Sequence, residues 1–106
     1  MVSDALKKYF LPKYIKEGEF KFYKFLLVYS VDKLMALEKK ECKGPSPNLE
    51  LLDYHDQFII LYRREGKEIY LDIAKIFRKA AHKMYRIMLK KKLTPRNDKF
   101  FNLITK

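Results

Sequence analysis

The chain has 106 residues, enough for one hydrophobic core, and we expect a single helical domain spanning residues 1–106. Its 48% hydrophobic and 15% aromatic content excludes a disordered composition, and its formal net charge of +11 points to an acidic partner. Cys42 is the single cysteine, which excludes an intrachain disulfide and a zinc site built on several cysteines, and favours a reducing, cytoplasmic location.

Residues 4 to about 16 predict a short first helix. Ser3 and Asp4 are suitable N-caps, and apolar side chains recur every four residues along one face. Pro12 should end or kink this helix unless a new helix begins there, and Gly18 is a plausible break before the next segment.

The most apolar segment runs from Glu19 to about Glu41 and predicts a long second helix. Its apolar surface is so broad that one neighbouring helix would leave part of it uncovered. We therefore expect the short end helices, or a second copy of the chain, to bury the remainder. Its longest apolar run, Phe25–Val31, is too short to cross a bilayer, so we expect no membrane span.

A loop of glycine and proline at 44–47 separates this segment from a third helix predicted at 49–65. Ser46 or Asn48 could cap that helix.

Residues 58–71 allow an alternative to helix. Aromatic and β-branched residues flank a turn that contains Gly66, and the two flanks could pair as a β-hairpin. Neither flank alternates cleanly between apolar and polar residues, so we favour two helices joined at the turn.

A fourth segment, from about Lys67 to Lys92, has the most regular helical pattern. Apolar side chains repeat at spacings of three and four, and acids occur early and lysines late, which complements the helix dipole. Pro95 ends this helix, and a last turn at 97–104 could fold back onto the core. The sequence thus predicts an all-α fold, a small antiparallel bundle of three to four helices, or an α+β fold if the hairpin forms.

Positive charge is concentrated in the last third of the chain. Residues 75–106 contain eleven basic residues and one acid, whereas residues 1–74 are nearly balanced. On the fourth helix the basic residues form a stripe that no acid interrupts, and like charges at this spacing repel. An unbroken stripe indicates that something outside the chain neutralises it. The candidate binding residues are Lys75, Arg78, Lys79, Lys83, Arg86, Lys90, Lys91, Lys92 and Arg96.

Phosphates along a nucleic acid match such a stripe, because counterion release would drive binding. The sequence has no base-reading motif, so we expect a non-enzymatic module that binds nucleic-acid backbone without strong sequence specificity. The candidates for stacking against single-stranded bases are Tyr9, Tyr14, Tyr23 and Tyr85. The stripe also fits another polyanion, or a solvated face without a ligand. The alternative function is a protein-interaction or adaptor subunit that uses the aromatic-rich second helix to bind another protein or a second copy of the chain.

Residues with catalytic or metal-binding chemistry are sparse. Asp53, His55 and Asp56 form the one cluster of metal-ligand type, but a site there would need ligands from another element. The glycines are isolated, no serine is framed as a nucleophile, and Cys42 is better explained as an incidental thiol. We therefore expect no enzymatic activity, no cofactor and no metal.

Overall fold

A computed structural model describes residues 4–39 and 46–90 of the chain. They form three helices, α1 (Asp4–Glu38), α2 (Pro47–Glu65) and α3 (Glu68–Lys90). This part of the chain contains no strand, so the expected all-α class is confirmed. The turn expected at 97–104 lies outside the described residues. No stretch of the three helices is both long enough and apolar enough to pass through a lipid bilayer.

A single glycine divides α1 into two arms. Gly18 has non-helical dihedral angles (φ 82°, ψ 168°), and we call residues 4–17 the first arm and residues 19–38 the second arm. This region of backbone space is open essentially only to glycine, so one residue determines the break. The arms meet through their aromatic side chains, since the ring centroids of Phe10 and Phe22 lie 6.3 Å apart.

Pro12 lies inside the first arm, and the helix continues through it. Of the outcomes expected at Pro12, an end of the helix is wrong, and the break lies at Gly18, where one was also expected. Its fixed φ suits a helix, and both Pro12 and Lys8 are exposed. The carbonyl of Lys8, which loses its helical N–H partner, can bond to water instead.

The loop before α2 supplies its cap. Ser46 occupies the N-cap position, and its carbonyl accepts the backbone N–H groups of Leu49 and Glu50 at 3.0 and 3.1 Å. Its hydroxyl donates to Oδ1 of Asn48, at 2.8 Å, instead of capping the backbone. Pro47 follows at the first helical position, where a missing N–H has no cost.

The turn between α2 and α3 consists of Gly66 and Lys67. Gly66 adopts the left-handed conformation (φ 69°, ψ 13°), and its N–H donates to the carbonyl of Tyr62 at 2.7 Å. This contact is a glycine C-cap, which ends α2 and allows α3 to return beside it. Residues 58–65 and 68–71 are helical, so the β-hairpin alternative is wrong.

The core centres on Phe77 of α3, which is fully buried. Its ring contacts a ring from each arm of α1 and two rings of α2. The centroid distances are 5.2 Å to Phe10, 5.6 Å to Phe22, 5.3 Å to Tyr54 and 5.7 Å to Phe58. Ring pairs of this kind stabilise a core by about 0.5–1.5 kcal/mol beyond the burial of their area. One side chain therefore links all parts of the described fold.

Two ion pairs connect α1 to opposite ends of α2. Lys7 Nζ lies 3.3 Å from Glu65 Oε2, at the end of α2. At its start, Glu50 accepts hydrogen bonds from Lys33 Nζ and from the hydroxyl of Tyr29, the latter at 2.6 Å. The first arm therefore begins beside the end of α2, and the second arm passes its start.

Candidate nucleic-acid interface

Helix α3 is strongly amphipathic, and its inner face is fixed by packing. The buried residues of this face lie at helical spacing and contact α1 and α2: Tyr70, Ile73, Ala74, Ile76, Phe77, Ala80, Ala81, Met84 and Met88. Because these positions define the inward direction, the rotation of α3 about its axis is not free. Its opposite side must point to solvent.

The outward side of α3 carries six predicted binding residues, all exposed: Lys75, Arg78, Lys79, Lys83, Arg86 and Lys90. We call these six residues the basic face. At 100° per residue they span about 140° of the helix circumference, and Lys75 to Lys90 covers about 22 Å along the axis. The remaining candidates, Lys91, Lys92 and Arg96, lie outside the described residues.

No carboxylate within the described ranges forms a salt bridge with the basic face. The ion pairs of this part of the chain involve Lys7, Lys13, Lys33, His55 and Lys67 instead. Asp72 and Glu68 lie near the start of α3, and Glu68 accepts a hydrogen bond from the hydroxyl of Tyr62 at 3.3 Å. None of the six cations is therefore held in a direct ion pair with a described carboxylate.

His82 lies among the basic residues, half-buried at the middle of the face. Burial lowers its pKa from the ordinary value of 6.5, and the positive charges of Arg78 and Arg86 lower it further, as does His55 of α2. At neutral pH the imidazole is therefore uncharged, and the charge of the face comes from its lysines and arginines.

A groove of about 350 Å³ runs along one edge of the basic face, between α3 and the start of the second arm. Lys75 and Lys79 line it on the α3 side, and the floor includes the buried Ile76. The second arm contributes Phe20 and Tyr23. A basic surface thus borders an aromatic one.

A lysine ammonium group lies over each of the two aromatic rings of this groove. Lys79 Nζ lies 4.7 Å from the ring centroid of Tyr23, and Lys24 Nζ lies 4.7 Å from that of Phe20. Such cation–π contacts at exposed sites contribute only about 0.5–1 kcal/mol. A phosphate can therefore draw either ammonium group away from its ring at small cost.

Two carboxylates, Glu19 and Asp72, also line the groove. The hydroxyl of Tyr14 donates to Glu19 Oε1 at 2.9 Å, across the break at Gly18. Burial raises the pKa of Tyr14 to about 12, with further contributions from the hydrogen bond to Glu19 and from the negative charges of Glu19 and Asp72. The groove therefore contains two carboxylates as well as two lysines of the basic face.

The four tyrosines suggested for stacking occupy different environments. Tyr23 is half-buried beside Lys79, as the hypothesis requires, and Tyr9 is 67% exposed on the first arm. Tyr14 is half-buried and bonded to Glu19, and Tyr85 is half-buried on α3. The sequence analysis did not identify Phe20, Glu19 or Asp72. Phe20 is three residues before Tyr23, a spacing that places both on one helix face.

The cluster at 53–56 is not assembled into a ligand set. His55 Nδ1 lies 3.0 Å from Asp56 Oδ1, and Asp53 is exposed. Across residues 4–39 and 46–90, no three His, Cys, Asp or Glu side chains are grouped so that they could hold a metal ion.

The second arm exposes several large apolar side chains. Val28 is 62% exposed, Met35 45% and Tyr29 40%. Phe20, at the edge of the groove, is 66% exposed. The broad apolar surface predicted for this segment is therefore only partly covered by the helices of the described chain.

Comparisons with protein-family models, with curated proteins and with solved structures found no match for this chain.

Proposed function

We propose that this chain is a small helical module that binds nucleic-acid backbone through the basic face of α3, without strong sequence specificity. The observation that carries the proposal is the gathering of six exposed cations on one side of a rigid helix, with no ion pair to a carboxylate in the described ranges. The proposal includes a non-enzymatic role and a cytoplasmic location, and it extends the face to Lys91, Lys92 and Arg96. A small helical bundle is the architecture we propose for the whole chain.

The dimensions of the basic face suit a polyanion. Its length of about 22 Å corresponds to six or seven phosphates of one duplex strand at about 3.4 Å each. Because the cations lie on a helix whose inner side is held by the core, they need little ordering on binding. The start of α3 presents Glu68 and exposes no base-reading set, which supports contact with phosphates over contact with base edges.

The test is binding of labelled 12-nucleotide single strands and 12-base-pair duplexes, followed by fluorescence anisotropy from 25 to 300 mM salt. If four to six cations contact phosphates of a duplex, log Kd should change with log salt with a slope of about 4 to 5. A slope near zero, or no binding at the lowest salt, would reject the proposal.

Matched charge variants separate a defined face from net charge. Lys83→Gln with Arg86→Gln removes two charges from the basic face, and Lys8→Gln with Lys16→Gln removes two exposed charges from the first arm. The α3 pair should lower the salt slope by about 2, and the control pair should leave it nearly unchanged. Equal losses in both variants would mean that the whole surface attracts nucleic acid, and the defined face would be rejected.

A second candidate function is a protein-interaction subunit whose second arm is covered by a partner, either another protein or a second copy of the chain. The exposure of Val28, Tyr29 and Met35 on one segment supports it. Sedimentation equilibrium of the wild-type chain and of Val28→Ser with Met35→Ser would distinguish the two functions. A wild-type dimer that the double variant dissociates favours this candidate, and a monomer at all concentrations counts against the homodimer.

A further inference from the structure

We propose that the groove between α3 and the second arm receives one unpaired nucleobase, so that the chain prefers single-stranded nucleic acid and, within it, bases that carry an amino group. The inference rests on the proposed function, because the phosphates on either side of that base would lie on the basic face. It goes beyond that function by naming a base site, with Phe20 as the stacking ring and Asp72 as the hydrogen-bond acceptor.

The groove is suited to one base by its size and by its position. A volume of about 350 Å³ lies near the lower end of the roughly 300–1,000 Å³ range of small-ligand pockets. Lys75 and Lys79 belong both to the groove lining and to the basic face. A strand that follows the face therefore passes the mouth of the groove.

The stacking surface is the ring of Phe20, which is 66% exposed. An aromatic ring beside lysines is the usual arrangement for single-stranded binding, and stacking contributes about 1–3 kcal/mol per base. Lys24 now occupies a position 4.7 Å from the ring centroid. A phosphate offers this ammonium group a stronger, charge-assisted contact, and its departure leaves the ring open to a base.

The carboxylates give the groove its selectivity. Glu19 and Asp72 offset the charges of Lys75 and Lys79 within the groove, so a phosphate is held more favourably on the rest of the basic face than inside the groove. They can accept hydrogen bonds from an exposed base edge, as a carboxylate accepts from the amino group of cytosine. One oxygen of Glu19 already accepts a hydrogen bond from Tyr14. The half-buried carboxylate of Asp72 is therefore the acceptor that is available to a base. In a duplex the pairing edges are not available, and the stacked bases cannot reach Phe20.

The first test compares Phe20→Ala with a matched control. Ile15 is an apolar residue of nearly equal exposure (64%), on the first arm and outside the groove, so Ile15→Ala removes a similarly exposed apolar side chain elsewhere. We expect Phe20→Ala to weaken binding of a labelled oligodeoxycytidine by about 5- to 150-fold, with the salt slope unchanged and duplex binding unaffected. Ile15→Ala should bind like the wild type.

The second test compares oligodeoxycytidine with oligodeoxythymidine, two pyrimidine strands of equal charge. At the pairing edge cytosine presents an amino group, whereas thymine presents a single N–H between two carbonyl oxygens, which a carboxylate repels. The wild-type chain should prefer the former by about fivefold or more at pH 7.5, the lower end of what a base contact contributes. Asp72→Asn should remove this preference. Asp53→Asn, which makes the same change at an exposed position of α2 outside the groove, should retain it.

The outcomes separate this inference from the function on which it rests. If neither single strand nor duplex binds at low salt, both proposals are rejected. If both bind with a steep salt slope but Phe20→Ala and Ile15→Ala behave alike, the basic face stands and the base site is rejected. Loss of cytidine preference in Asp53→Asn as well as in Asp72→Asn would also reject the base site.

Discussion

The ammonium group of Lys79 lies 4.7 Å from the ring centroid of Tyr23, and no described carboxylate forms a salt bridge with it. Lys33 differs from Lys79, because it forms an ion pair with Glu50. The side chains of Lys33 and Glu50 are only 21% and 12% exposed, respectively. Both lysines join neighbouring helices. Lys79 contacts an aromatic ring at the edge of the basic face. Lys33 forms a partly buried ion pair with Glu50.

This contrast predicts opposite results for two substitutions that each remove one positive charge. Lys33→Gln should lower the free energy of unfolding by about 1–3 kcal/mol, because it leaves Glu50 partly buried without its cation. Lys79→Gln should cost less than about 1 kcal/mol but weaken oligonucleotide binding. Urea denaturation measures the stability of both variants, and fluorescence anisotropy measures their oligonucleotide binding. A larger stability loss in Lys79→Gln, or a larger binding loss in Lys33→Gln, would contradict the assignment.

Phe77 is the side chain on which the stability of the fold depends most. Phe77→Ala removes ring contacts with both arms of α1 and with α2, and we expect a loss of about 3–5 kcal/mol in the free energy of unfolding. Leu89→Ala, at a 48% exposed position of the same helix, should stay within about 0.5 kcal/mol of the wild type. Urea midpoints measure both. Similar values for the two variants would mean that Phe77 is not the centre of the core.

The two glycines with positive φ predict different responses to substitution. An added Cβ meets no atom within 4 Å at either Gly18 or Gly66, so any cost comes from the backbone alone. Gly66 is left-handed, and asparagine tolerates that region, so Gly66→Asn should cost less than Gly66→Ala. Gly18 has ψ of 168°, outside that region, so Gly18→Ala and Gly18→Asn should both cost about 1–3 kcal/mol. Thermal and urea denaturation test this, and an asparagine rescue at Gly18 would refute it.

His82 predicts a loss of stability in mild acid. The folded chain keeps its imidazole neutral to a lower pH, because burial, Arg78, Arg86 and His55 lower its pKa, whereas the unfolded chain takes up a proton near the ordinary value of 6.5. The stability that depends on neutral His82 is thus present above pH 6.5 and is lost as pH falls through the lowered value. His82→Gln should show a shallower fall in the free energy of unfolding between pH 7.5 and 5.5. An unchanged slope would show that His82 does not titrate in this way.

The same histidine predicts how binding responds to pH. Phosphates on the basic face offset the repulsion from Arg78 and Arg86, so a bound strand raises the pKa of His82 and binding takes up a proton. Affinity for oligonucleotides should therefore increase from pH 7.5 to 5.5 in the wild type. The increase should be smaller in His82→Gln. Parallel titrations of the two chains would contradict a strand lying across the centre of the face.

Local pattern was sufficient to predict α3. Its apolar spacing determines which residues face inward, so the outward direction of Lys75 and Lys90 follows from sequence periodicity alone. The turn at Gly66 was ambiguous, because short apolar runs suit strand and helix equally until the left-handed cap is known. Pro12 was misjudged because the cost of a lost helical hydrogen bond depends on exposure, which the sequence does not state.

The groove could not be predicted in the same way. It exists only because the second arm packs beside α3, so that Phe20 and Tyr23 line one groove with Lys75, which is more than fifty positions away in the sequence. That packing depends on the break at Gly18 and on the aromatic contacts of Phe77. The spacing of apolar residues along one helix does not reveal the break at Gly18 or the contacts of Phe77 with other helices.

The break at Gly18 also determines whether one molecule can form the hydrophobic core from its own helices. A straight helix of 35 residues would be about 52 Å long, which exceeds the 39 Å extent of the described structure along its longest principal axis. With a residue that favours continuous helix at this position, Phe10 would be carried away from Phe22 of its own chain. Two such molecules could then exchange their first arms, so that the first arm of each packs in the core of the other. A change of backbone conformation at one residue would thus produce a domain-swapped dimer.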